Sequence, residues 1–206
     1  MSSDGDTVAV GAWVNDGNGS NSGHARIFDY TSTGVFTVAE NQTAIGTVTV
    51  TDGDGDALIY SITGTDAALV TINSSSGVMT FSSTPDYETK TSYSVTINVS
   101  DGAHTSTVPI TINITDLNDN LPVITSSATF TAAENQTAIG TVTATDGDGD
   151  SLTYSLTGTD ASSLSISSSG VITFDSTPDY ETKTSYSVTV SVSDGTNTTT
   201  QAVTVN

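Results

Sequence analysis

Residues 51–56 and 145–150 spell the same hexapeptide, TDGDGD. The first copy places Asp52, Asp54 and Asp56 in one short loop, and the second places Asp146, Asp148 and Asp150. Two chemistries are open to such a loop. It can be a tight turn made soluble by charge, because Asp and Gly both tolerate unusual φ. It can also offer oxygen ligands to a hard cation, which takes about six to eight of them at roughly 2.3–2.6 Å. An EF-hand is excluded. The sixth position is Ala57 or Ser151 instead of Gly, and the twelfth is Thr63 or Thr157 instead of Glu.

The other acids raise the same choice. The chain of 206 residues has a formal charge of −20, with 23 acids against Arg26, Lys90 and Lys183. Phosphate binding needs clustered Lys and Arg, so nucleic acid is excluded as a partner. Like charges drawn together by folding repel unless cations intervene. The chain has no cysteine and only two histidines, His24 and His104, set far apart in sequence, which argues against metals that prefer sulfur or nitrogen. No apolar run approaches the ~18 residues of a membrane span. No signal peptide is visible after Met1. A glycosidase-like carboxylate pair or a Ser–His–Asp arrangement finds no supporting pattern, so no enzyme is expected.

The elements that must position these acids repeat. ENQTAIGTVT occurs at 40–49 and 134–143, and STPDYETKTSYSVT at 83–96 and 176–189. Alternation marks strands: Tyr93, Val95, Ile97 and Val99 share one face, as do Ile110, Ile112 and Ile114, and Leu58, Tyr60 and Ile62. Turn signals recur every ten residues or so (DGDGD, TGTD, SSSG, TPDYE, SDG). The reading is all-β: two tandem Greek-key β-sandwich domains, each of about seven short strands. The boundaries are 34–120 and 121–206, after a dissimilar segment at 1–33. In a sandwich the loops gather at two ends, so acids in alternate loops gather there too.

Several motifs then carry a family resemblance. DLNDN (116–120), followed by Leu121-Pro122, resembles the DxNDN linker of cadherins. AEN at Glu40 resembles their PEN motif, PDYE at Asp86 and Glu88 their DRE, and ATDGD at Asp146 and Asp148 their DxD. VSDG at Asp194 resembles the late aspartate of the following repeat. The resemblance implies calcium between successive repeats. The lower repeat would supply Glu40, Asp86 and Glu88. The linker would supply Asp116, Asn118 and Asp119, with the carbonyls of Leu117 and Asn120. The upper repeat would supply Asp146, Asp148 and Asp194. The resemblance further implies cadherin/Ig-like domains in an extracellular, cell-surface array. Calcium would stiffen such an array as a spacer or adhesion module, and its partner would be another surface protein or a glycan. The chain itself would not span the membrane. A calcium-assisted lectin-like module is the alternative.

The sequence departs from the family at several points. Tyr87 and Tyr180 stand where DRE has Arg, and Trp13 lies outside the repeats, which argues against exchange of an N-terminal strand. Compact repeats of microbial surface proteins are the nearer resemblance. Asp52, Asp54 and Asp101 lack a preceding linker, and Glu134, Asp179 and Glu181 lack a following one. Each set is expected to be half a site, in a chain cut from a longer array. Asp56 and Asp150 have no counterpart in the family and read as solvated. Asp66 and Asp160 read as turn or cap residues. Residues 1–33 resemble one FG-GAP β-propeller hairpin, with strands TVAVGA and HARIFDY.

Overall fold

A computed structural model describes residues 7–11, 34–53 and 55–206. The chain divides into two units, Met1–Leu117 and Asn118–Asn206.

In the first unit the strands are β1 (Thr7–Gly11), β2 (Val35–Ala39), β3 (Ala44–Thr51), β4 (Ile59–Thr63), β5 (Val70–Ile72), β6 (Val78–Phe81), β7 (Ser92–Ser100) and β8 (Thr105–Thr115). They form two sheets, β1-β3-β6-β5 and β2-β8-β7-β4, a sandwich between which the chain crosses repeatedly. Alternation is the cause. Tyr93, Val95, Ile97 and Val99 of β7 are buried, as are Val108, Ile110, Ile112 and Ile114 of β8. They meet Val48, Val70, Met79 and Phe81 of the opposite sheet in one core. Polar Thr, Ser and Asn occupy the alternate positions and leave the outer face wet.

The second unit repeats the plan with β9 (Val123–Ile124), β10 (Thr129–Phe130), β11 (Ala138–Thr141), β12 (Ala144–Thr145), β13 (Thr153–Thr157), β14 (Leu164–Ile166), β15 (Val171–Phe174), β16 (Tyr186–Ser193) and β17 (Thr198–Val205). Its sheets are β10-β17-β16-β13 and β11-β15-β14, with the pair β12-β9 beside them. Val142, Leu164, Ile172, Phe174, Val188, Val190, Val192, Val203 and Val205 fill the core. A one-turn 3₁₀ helix spans Ala161–Ser163.

One detail distinguishes the near-identical sequences of the two units, and a second is common to both. β3 is continuous, whereas its counterpart is split into β11 and β12. β1 runs parallel to β3 from Thr47 to Thr51, whereas β9 covers only Ala144 and Thr145. Second, each SSSG turn ends in a glycine at positive φ, Gly77 (+71°) and Gly170 (+79°). A Cβ there would meet the carbonyl oxygen of Val48 or Val142 at 2.2 Å, so no larger residue fits.

The hairpin expected in 1–33 is described only at its first strand, which is β1. The second strand, 24–30, lies outside the described residues, as does Asp54.

Candidate metal centre

The expected ligands fall into two sets, one in each unit. In the first unit Glu40 follows β2. The next residue, Asn41, adopts φ +61°, a left-handed conformation that Asn tolerates better than most residues. Its N–H donates to the Pro85 carbonyl at 3.1 Å, which draws the ENQ turn against the PDYE loop. Glu40 is 2% exposed. Its Oε2 accepts the Tyr87 N–H at 2.8 Å and its Oε1 accepts the Leu117 N–H at 2.9 Å. The buried carboxylate thereby ties the start of the repeat to the PDYE loop and to the chain leaving β8. Asp86 caps its own turn, accepting the Thr89 N–H and hydroxyl, each at 3.1 Å. Carboxylate oxygens of Glu40, Asp86 and Glu88 all lie within 4.8 Å of one another. Asp116 and Leu117 follow β8 on the exposed surface.

In the second unit Asn120 reads the DGDGD loop. Its N–H donates to Asp148 Oδ2 at 3.0 Å and its side-chain amide to Asp148 Oδ1 at 2.6 Å. The same amide donates to Asp119 at 3.2 Å. A Cβ on Gly147 would come within 2.8 Å of Asn120 Cβ and Cγ, so glycine lets loop and linker touch. Asp146 Oδ1 accepts the N–H groups of Asp148 (3.1 Å) and Asp150 (3.2 Å), curling the loop around one oxygen. Carboxylate oxygens of Asp146, Asp148 and Asp150 lie within 4.8 Å of one another. Asp194 is 8% exposed, and its Oδ1 accepts the N–H groups of Thr196 (2.7 Å) and Asn197 (2.5 Å). Burial pushes the Asp194 carboxyl up. The N–H groups of Asn197 and Thr196, with the amides of Asn197 and Asn118, outweigh burial and hold it below the usual carboxylate range.

Two carboxylate oxygens in this unit are left over. Asp146 Oδ2 and Asp194 Oδ2 are shielded from solvent and have no hydrogen-bond partner. A buried acceptor without a donor costs about 1–3 kcal/mol, more when charged. Both lie among oxygen donors, so the set fits a hard oxygen-seeking cation and not zinc.

Sequence reasoning passed over two residues here. Asp150, expected to be solvated, joins the Asp146–Asp148 cluster and accepts the Asn118 amide at 2.5 Å. Asn197 donates to Asn118 Oδ1 at 3.1 Å and to the Asn120 carbonyl at 3.4 Å, fixing the linker beside Asp194. The signal was in the repeat: His104 stands in the first unit where Asn197 stands in the second.

The half-sites copy this local chemistry. Asp52 Oδ1 accepts the N–H groups of Gly55 and Asp56, the second of which corresponds to the Asp150 N–H bond to Asp146. Asp101 accepts the N–H groups of His104 (2.6 Å) and Ala103 (2.8 Å), which lower its pKa in that order. Glu134, Asp179 and Glu181 again bring oxygens within 4.8 Å, but all three are exposed.

Asp66 and Asp160 are not simple turn or cap residues. Asp66 is buried, paired with Lys90 Nζ at 2.8 Å, and accepts the Ser94 N–H at 2.7 Å. Asp160 precedes the 3₁₀ helix yet makes no side-chain cap bond there. It pairs with Lys183 and accepts the Ser187 N–H at 2.8 Å.

Residues 34–115 match the family described as Cadherin domain, and residues 118–206 match Bacterial Ig domain. The chain carries tandem cadherin-like repeats. Protocadherin Fat 4 of Homo sapiens is 36% identical over 166 residues, covering 71% of this chain and 3% of the relative. Cadherin-related family member 2 of Mus musculus is 33% identical over 92 residues, 45% of this chain and 7% of the relative. The repeats thus span only a small part of the curated relatives they match. Among solved structures, mouse Cadherin-23 EC22-24 superposes with a TM-score of 0.72 at 24% identity, covering 91% of this chain and 70% of that one. Human Protocadherin-24 EC1-2 Form II gives 0.73 at 22%, covering 84% and 93%. At these identities the structural likeness speaks to the sandwich fold.

Proposed function

We propose that the cadherin-like repeats form a calcium-dependent extracellular adhesion or spacer module of a surface protein. Calcium would be held where one repeat gives way to the next. Two shielded, partnerless carboxylate oxygens, on Asp146 and Asp194, carry this reading. The fold brings anions together and leaves acceptors unanswered, an arrangement that is unfavourable without a cation. The ligands from the first unit are Glu40, Asp86, Glu88 and Asp116, with the carbonyl of Leu117. Those from the second are Asn118, Asp119, Asp146, Asp148 and Asp194, with the carbonyl of Asn120. Asp150 adds a carboxylate beside them. A divalent ion bound to both sets would cancel their repulsion and restrict the motion of one repeat against the next. The cadherin likeness of residues 34–115 and the curated relatives support the adhesion role, the surface location and a protein partner. The division into repeats at 34–120 and 121–206, after a separate segment 1–33, belongs to the same proposal.

Thermal unfolding in EDTA and in about 5 mM calcium tests it. With a dissociation constant of ~10⁻⁴–10⁻³ M, each site stabilises the folded state by about 1–2 kcal/mol. Melting must move up with calcium and back with chelator. An unchanged midpoint overturns the calcium reading.

A further inference from the structure

Two of the three cationic side chains in the chain serve the same purpose at equivalent positions. Lys90 Nζ binds Asp66 Oδ1 at 2.8 Å, while Asp66 Oδ2 accepts the Ser94 N–H at 2.7 Å. The Asp66 N–H returns to the Ser94 carbonyl at 3.1 Å. The ammonium lies 5.0 Å from the Tyr93 ring centroid. Lys183, Asp160, Ser187 and Tyr186 repeat the arrangement in the second unit, with the ammonium 4.6 Å from its ring. Each lysine ends a PDYETK turn, and in each unit that turn carries two carboxylates of a cluster. The Lys90 N–H also donates to the Asp86 carbonyl at 2.9 Å, so backbone and side chain of one residue hold both ends of the turn. Asp66 is buried and the Lys90 stem is half-covered. The Lys90 hydrogen bond, then the Ser94 N–H, hold the Asp66 carboxyl below its usual range against the opposing effect of burial.

The hydrogen bonds described for this clamp involve Asp66, the Ser94 N–H and the Asp86 carbonyl, and they tie the turn to the loop between β4 and β5. We infer that Lys90 and Asp66 are positioning residues for calcium, holding Asp86 and Glu88 where their oxygens meet that of Glu40. Without the clamp, three mutually repelling carboxylates within 4.8 Å push an exposed turn outward before the ion arrives. The ion must then close the turn itself, and its affinity falls by the fraction of molecules in the competent arrangement. The inference rests on the calcium reading above.

The test is calcium titration of the 206-residue chain, by calorimetry, for the unsubstituted protein and four variants. Asp66→Asn keeps an acceptor for Ser94 but loses the charge, and Lys90→Met keeps the stem but loses the ammonium. Both are expected to weaken binding about three- to tenfold while circular dichroism shows a folded chain. Lys90→Arg should restore most of the affinity. Ile110→Val, a core truncation that lowers the melting point without touching the clamp, should leave the dissociation constant unchanged. If Asp66→Asn and Lys90→Met lose stability but bind calcium as the unsubstituted chain does, the clamp is structural only and the inference fails. If Ile110→Val weakens binding equally, it fails too. If the unsubstituted chain binds no calcium, it is the calcium reading that falls.

Discussion

Asp146→Asn should raise stability in the absence of calcium and lower it in its presence. Asn is isosteric and keeps Oδ1, which accepts the N–H groups of Asp148 and Asp150, so the loop remains curled. What changes is the other atom. Partnerless Oδ2 becomes an amide donor beside the carboxylates of Asp148 and Asp150. At a separation of about 4.8 Å two unit charges repel by about 0.9 kcal/mol in water and about 3.5 kcal/mol at an effective dielectric near 20. Asp146 and Asp148 are both half-buried, so the relief from their pair alone lies between, at about 1–3 kcal/mol. For a domain of this size, each kcal/mol moves the midpoint by about 4–8 °C. Differential scanning calorimetry in EDTA should therefore show the second unit of the variant melting several degrees higher. In about 5 mM calcium the order should reverse, because a ligand oxygen has gone. A variant that is the less stable one in EDTA would refute the reasoning. The free fold would then already satisfy Asp146, and its orphaned oxygen would give no reason for an ion.

Other outcomes follow from the same geometry. Glu40→Ala should destabilise the first unit by about 2 kcal/mol, since it strands two backbone donors, whereas exposed Glu134→Ala should stay within about 0.5 kcal/mol in chemical denaturation. Gly170→Ala forces a Cβ against the Val142 carbonyl at positive φ and should lower the urea midpoint of the second unit by the equivalent of about 1–3 kcal/mol. Asp66, Asp101, Asp160, Asp179 and Asp194 all have folded-state pKa values below the ordinary one. Their contribution is present above the unfolded carboxylate value of about 3.9 and is lost as pH falls through the lower folded values. Because protonating the clustered carboxylates also relieves repulsion, the pairings are read by difference: the calcium-free melting-point loss caused by Asp66→Asn should be constant above that pH and shrink below it, and a loss that grows on acidification contradicts the pairing.

The alternation of Tyr93, Val95, Ile97 and Val99 made β7 legible, because a strand with one buried face writes its period into the chain. The resemblance of AEN and PDYE to cadherin motifs likewise implied Glu40 beside Asp86 and Glu88. What could not be read depends on chain returning from afar. Asn41 takes its left-handed turn to meet Pro85, and Gly147 lacks a side chain because Asn120 lies against it. Asp150 looked solvated because its partner, Asn118, is 32 positions away in sequence. Asp66 looked like a turn residue because Lys90 reaches it only once two loops stack. The identical stretch AIGTVT gave one strand in the first unit and a split one in the second, since the neighbour that covers the edge differs.

The parallel pairing of β2 with β8 has a mechanical consequence. These are the entry and exit strands of the first repeat, joined from Val35↔Thr111 to Ala39↔Thr115. Tension pulling them apart along the chain loads those pairs in shear, all at once, instead of peeling them one by one. The equivalent pair in the second unit, β10 with β17, registers Thr129↔Thr204 and Phe130↔Val205 and is extended by the Ala132 N–H to the Asn206 carbonyl, a shorter ladder to share the load. Under equal pull the second repeat is the one that yields first, making it the extensible element and its neighbour the stiff one.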